Sequence, residues 1–317
     1  MNLIFKILAL ITFGTCLLSM ACGQDSICKK NLPLIDAHIH LYNTNREGSC
    51  TFLNPVKHEK IYAPHLAQDF KNTSLESGVK YAIVIEASMR REDNLWLLQE
   101  ANTADNILAC IGNLDPRHPE FEADLLDLKQ YKKFRGIRIR PETPIDLTDQ
   151  KVIETIGLLA QDSLTIELFN KQGNTSDIIA IAQKYPSMNI IINHLGGGRL
   201  KNGKLVSSEW INQMKNLSKE PNVYCKVSAI YTLSGEKPAS VNMEFYEPLI
   251  NPVLEAFGPN RIFFGSNWTL SEMRGSYGNL ILILDEYCKE KSTLSREQFY
   301  VANALKAYRI DRKKLYE

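Results

Sequence analysis

Eight short apolar, β-branched runs recur along the chain, each separated from the next by a stretch with helical patterning. This rhythm restricts the fold more than any other feature. The runs are LIDAHIH (34–40), VKYAIVIEA (79–87), ILACIGNL (107–114), FRGIRIR (134–140), LTIELFN (164–170), MNIIINHL (188–195), NVYCKVSAI (222–230) and RIFFGSNW (261–268). Between them, REDNLWLLQEANTAD, HPEFEADLLDLKQYKK, DQKVIETIGLLAQ and TSDIIAIAQKYP carry apolar residues at three-and-four spacing, the signature of helices with one buried face. Asp149 is placed to cap one helix, Ser176 or Asp177 to cap another, and Pro186 to end the latter. Most runs start about 26 to 39 residues apart. That is the length of one strand, one crossover helix and two short loops. Eight such units predict an α/β fold, a closed (β/α)8 TIM barrel forming a single domain over residues 32–317. An open doubly wound sheet would call for a glycine-rich nucleotide loop after an early strand, and none is present. HLGGGRLKNG follows the sixth run and is no phosphate fingerprint. The first gap is the longest and predicts a large, ligand-proximal loop over residues 41–65.

The first residues stand outside this rhythm. In MNLIFKILALITFGTCLLSMACGQD, Lys6 precedes an apolar stretch from Ile7 to Met20, too short for a comfortable membrane span and suited to a signal segment. Ser19-Met20-Ala21-Cys22 resembles a bacterial lipobox, with Cys22 as the lipidated N-terminus. The expectation is a lipoprotein-type signal peptide over 1–22, a tether over 23–31, and export to the cell envelope with membrane attachment through the lipid. Cleavage without lipid is the alternative. Of the remaining cysteines, Cys28, Cys50, Cys110, Cys225 and Cys288 are odd in number and form no CxxC, which excludes a disulfide scaffold and a zinc–thiolate site. Cys110 and Cys225 fall in strand-like runs and read as core; a Cys28–Cys50 bridge is chemically open in an oxidising compartment. The formal net charge of +1 and the lack of any Lys/Arg block exclude a nucleic-acid partner.

In a barrel, reactive groups gather at the C-terminal ends of the strands. The runs place His38 and His40, Glu86, Asn113 and Asp115, Arg138 and Arg140, Glu167 and Asn170, His194, Lys226 and Ser228, and Asn267 with Trp268 at those ends. Alternation puts Asp36, His38 and His40 on one face of the first strand. Two imidazoles on a polar strand face suit a ligand or metal better than solvent. His58, His65 and His118 lie in loops or helix starts, and of these only His65 is expected to approach the pocket.

Taken together, IDAHIH, RGIR (135–138), NHLGG (193–197), NVYCKVSA (222–229), RIFFGSNW and VANALKAY (301–308) resemble the amidohydrolase-related family, in the branch of sugar-lactone and dicarboxylate-lactone hydrolases. The resemblance covers nearly the whole chain after the signal segment. It implies that His38 and His40 are a pocket pair able to hold a divalent metal such as zinc. It implies that His194 contacts the substrate carbonyl or attacking water, and that Arg138 anchors substrate. Asn267 stands where the family usually has an aspartate general base. An amide takes up no proton near neutral pH. The fifth run also lacks the histidine of metal-using relatives, so the reading favours hydrolysis without metal.

The expected function is hydrolysis of a small carbonyl ester, a sugar-acid or other carboxylated lactone. His38, His40, His194, Asn267 and Glu86 form the catalytic set, with an imidazole or Glu86 activating water. Arg138, Lys226 and Trp268 bind the small-molecule substrate. Two other readings remain: a metal-dependent decarboxylase or hydratase on the same barrel, and a barrel that only binds a glycan fragment.

Overall fold

In the computed structural model, residues 32–140, 145–170 and 174–316 are described. The signal segment, the tether, Cys22 and Cys28 lie outside them. Cys50, Cys110, Cys225 and Cys288 are free thiols.

Eight parallel strands follow one another around a barrel. They are β1 (Leu34–Ile39), β2 (Val79–Ile85), β3 (Ile107–Gly112), β4 (Phe134–Arg138), β5 (Thr165–Leu168), β6 (Ile190–Ile192), β9 (Val223–Ser228) and β10 (Ile262–Gly265). The expected (β/α)8 barrel is present. It closes between β1 and the chain just past β10. His40 N–H donates to Trp268 O and Asn267 N–H donates to His38 O, both at 2.8 Å. The strands are buried on both faces, as a parallel sheet sheathed by helices must be, which explains their near-continuous apolar character.

The patterned segments form helices at Asp93–Asn102, Phe121–Lys129, Gln150–Gln161 and Thr175–Lys184. Asp149 caps the third, accepting from the N–H groups of Lys151 and Val152. The fourth starts earlier than expected, at Thr175. Ser176 and Asp177 therefore sit inside it, and Asn174, at the cap position, donates to Phe169 O instead.

Two local features depart from the sequence reading. A two-stranded hairpin, β7 (Leu200–Lys201) with β8 (Lys204–Leu205), follows β6. Asn202-Gly203 turns it with φ of 51° and 71°, the left-handed pair an Asn-Gly hairpin turn requires. In β1, the register against β2 slips between Asp36 and Ile39. That bulge breaks the alternation, so Asp36 does not join the imidazoles. Its carboxylate accepts from His38 N–H, Ser266 N–H and Tyr277 OH. Burial outweighs these bonds and lifts its pKa to about 6.

Gly265 lets β10 pass close to β1. A Cβ there would come within 2.6 Å of the Cβ of His38. The strand ends share a device: His194 after β6, Ala229 after β9 and Asn267 after β10 all adopt left-handed backbone, with φ of 50°, 57° and 62°. Each costs roughly 1–2 kcal/mol in a residue with a Cβ, and such strain gathers at functional sites.

Candidate active site

A cavity of about 750 Å³ opens at the C-terminal end of the barrel, and His40, His194, Arg138 and Asn267 all line it. His38 is fully buried behind them. Its ring centroid lies 5.0 Å from that of His40 and 4.5 Å from that of His194. The fold therefore gathers imidazoles from β1 and β6 and a guanidinium from β4 into one place.

Hydrogen bonding fixes how two of the rings are protonated. His40 Nδ1 lies 3.0 Å from Ile85 O and 3.1 Å from Glu86 O. Carbonyl oxygens only accept, so Nδ1 carries the proton and Nε2 keeps its lone pair. His38 Nδ1 lies 3.3 Å from Lys226 Nζ. An ammonium only donates, so here Nδ1 accepts and the proton sits on Nε2, which has no protein partner. His194 Nδ1 meets Ser228 Oγ at 2.7 Å. Asn267 packs its amide against His40 and leaves Oδ1 buried without a partner.

All three imidazoles are held neutral. Burial is the largest cause in each; the positive charge of Arg138 adds to it in all three, with Lys226 adding at His38 and His194 and Arg140 at His40. Lys226 is itself pulled down to about 8 by burial, against the opposing charge of Glu167.

The remaining expected residues take other places. Glu86 does not line this cavity. Its Oε1 receives Arg138 Nε at 2.6 Å and its Oε2 faces Arg140 at 3.4 Å. A carboxylate committed to two guanidinium groups is poorly placed to take a proton from water, so Glu86 is corrected to an anchor that aims Arg138. Lys226 touches no cavity space. It is fully buried and bonds Glu167 Oε1 at 2.8 Å, and Tyr308 OH bonds the same oxygen. Trp268 is also corrected: it is 1% exposed and packs edge-on against His65 and Phe70, away from the cavity. His65 packs between Tyr42 and Trp268, whereas Lys57 and His58 of the long first loop reach the cavity together with Phe52.

Sequence reasoning missed Phe52, Lys57, His58, Arg199, Trp210, Lys237 and Arg274 in the lining, and Tyr308 beneath it. The Asn-Gly hairpin signal was available for the segment that carries Arg199. Nothing local marks the others, since loop reach and helix return set their positions.

The chain matches the amidohydrolase family over residues 35–310. It belongs to that family. An L-fucono-1,5-lactonase from Burkholderia ambifaria is 30% identical over 287 residues, covering 88% of this chain and 96% of the relative. An amidohydrolase from Burkholderia multivorans, crystallised with HEPES, superposes with a TM-score of 0.78 at 19% identity, over 88% of this chain and 100% of the other. A second crystal form from that organism contains zinc and superposes with a TM-score of 0.76 at 20% identity, over the same shares.

Zinc fits poorly among the residues of this amidohydrolase. No group of three His, Cys, Asp or Glu side chains is placed to hold one metal ion among the described residues. Position 267 is an amide, Glu167 is taken by Lys226 and Tyr308, and an ammonium 3.3 Å from His38 Nδ1 opposes a dication. His38 and His40 alone make two of the three ligands that a catalytic zinc needs.

Proposed function

We propose that the protein is a lactone hydrolase that works without a bound metal, opening the ring of a sugar-acid lactone to the hydroxy acid. One observation carries this reading. The cavity brings together a neutral imidazole with an unprotonated Nε2 beside the Asn267 amide (His40), a second imidazole (His194) and a fixed guanidinium (Arg138). The similarity to an L-fucono-1,5-lactonase supports the lactone over other esters.

In this reading, water bonds to the orphan Oδ1 of Asn267 and gives its proton to His40 Nε2 as its oxygen attacks the lactone carbonyl carbon. The carbonyl oxygen becomes an oxyanion, facing Arg138 and the proton of His38 or His194. As the tetrahedral centre collapses, the ring C–O bond breaks and the alkoxide takes the proton from His40. The positive field that weakens His40 as a base also stabilises the developing oxyanion. Lactones are reactive enough for positioning to supply much of the rate.

The segment ahead of Cys22 supports action at the bacterial envelope, with Cys22 as the lipid site. Mass spectrometry of the mature N-terminus tests that placement: an N-terminus without acyl mass excludes the lipid.

A panel of aldonolactones and simple esters, read by proton release from chelator-treated protein, tests the activity. Turnover of sugar lactones is expected, with His40→Gln slowed at least about 100-fold. A folded wild-type protein that turns over no lactone on the panel overturns the reading.

A further inference from the structure

The cavity wall is far more cationic than the chain that builds it. The whole protein has 37 Lys and Arg against 36 Asp and Glu, close to parity. Among the described residues, the cavity is lined by Lys57, Arg138, Arg140, Arg199, Lys237 and Arg274 against one carboxylate, Glu209. The inner two, Arg138 and Arg140, share Glu86. The outer four are spent on no carboxylate. Arg274 donates to the backbone oxygen of Glu236 at 2.7 Å. Lys57, Arg199 and Lys237 are exposed and have no side-chain hydrogen bond or ion pair among the described residues.

Their origin in the fold is as telling as their charge. Lys57 comes from the loop after β1, Arg199 from the turn after β6, Lys237 from the segment after β9 and Arg274 from the segment after β10. In the barrel, β6, β9 and β10 are consecutive, and β10 closes onto β1. The four cations thus come from one contiguous half of the rim, outside the floor where the imidazoles lie. Phe52 and Phe169, which pack against His40 and His194, and Trp210 give the same cavity apolar surface. A cleft of one sign, walled by low-dielectric side chains, focuses its field on an incoming ligand and speeds its capture in a salt-dependent way.

We infer that the substrate is an anionic lactone whose charged group lies away from the scissile ester and is held by Lys57, Arg199, Lys237 and Arg274. The inference rests on the lactonase reading and adds a substrate class to it. A carboxylate, a sulfate ester and a phosphate ester share the chemistry that this rim recognises.

The test uses matched sugar lactones that are neutral or carry a distal carboxylate, sulfate or phosphate, together with lactam analogues that bind without being hydrolysed. For the wild type, kcat/KM should favour at least one charged lactone over the neutral one by roughly tenfold or more at low salt. The preference should shrink as ionic strength rises, and the ranking of the three groups identifies the natural one. In the triple variant Lys57→Gln, Arg199→Gln, Lys237→Gln, the charged-to-neutral ratio should fall toward one, whereas Lys80→Gln on the far side of β2 should keep it. A wild-type ratio of one or less, or a ratio the triple variant does not lower, overturns the inference. If no lactone is turned over but a charged lactam binds and the triple variant weakens it, the anionic site stands and the lactonase reading falls. If lactones are turned over with no charge preference, the reverse holds.

Discussion

Lys226 Nζ lies between His38 Nδ1, at 3.3 Å, and Glu167 Oε1, at 2.8 Å, with no access to solvent. The lysine thereby holds the imidazole in the tautomer that leaves Nε2–H free, and the carboxylate offsets the buried charge. This arrangement makes Lys226 a positioning residue rather than a substrate ligand. Lys226→Met should leave Glu167 as an uncompensated buried charge and cost about 3–5 kcal/mol, seen as a lower denaturation midpoint. The double variant Lys226→Met, Glu167→Gln should recover most of that stability without recovering lactone turnover. Recovery of both would mean that the pair serves folding alone.

The pH profile should report the same lysine. His40 lies well below the ordinary imidazole value through burial, so the acid limb of kcat/KM is expected below about pH 6.5. Lys226 loses its proton at about 8, which weakens its hold on His38 and places an alkaline limb near that pH. Background-corrected initial rates from pH 5 to 9.5 check both. An alkaline limb that survives in Lys226→Met would remove the lysine from the profile.

Stability should fall as the solution is acidified. Unfolded imidazoles take up protons below about pH 6.5, whereas the buried His38, His40 and His194 do not. The unfolded state then binds more protons, so stability is lost as pH falls through 6.5. Asp36 opposes this: its folded pKa of about 6 lies above its ordinary 3.8, so between those values the folded state holds one extra proton. Three protons against one leave a net loss approaching about 2.7 kcal/mol per pH unit below pH 6. Urea midpoints at pH 7 and pH 5 give the sign directly.

Metal dependence tests the proposed metal-free hydrolysis directly. Dialysis against dipicolinate should leave lactone turnover intact, and added zinc should not raise it. Asn267→Asp should change that, since it adds an anionic donor beside His40. Zinc uptake by the variant, measured by elemental analysis, is expected to exceed that of the wild type. Loss of wild-type activity to chelator, restored by zinc, would return the metal-dependent reading.

The close passage at Gly265 links barrel closure to the site. Gly265→Ala puts a Cβ within 2.6 Å of His38, so either the strand or the imidazole must move. A destabilisation of about 1–3 kcal/mol is expected, together with a fall in kcat larger than the stability loss explains. A variant with wild-type kcat would show that His38 needs no exact seat.

Periodicity alone carried the eight staves and the four patterned helices, because a two-residue alternation or a 3.6-residue stripe is written locally in each segment. Strand-end chemistry carried His38, His40, His194, Arg138 and Asn267 for the same reason: in a barrel, all such ends face one opening. Pairing was decided only by tertiary structure. Glu86 meets Arg138 across 52 residues, Glu167 meets Lys226 across 59, and Tyr308 returns across 141 to the same carboxylate. Strand register and ring closure set those meetings, as a one-residue slip in β1 shows by removing Asp36 from the face where alternation put it. The cationic rim belongs to the same class. Its members stand far apart in the chain, and become one surface because β10 closes on β1.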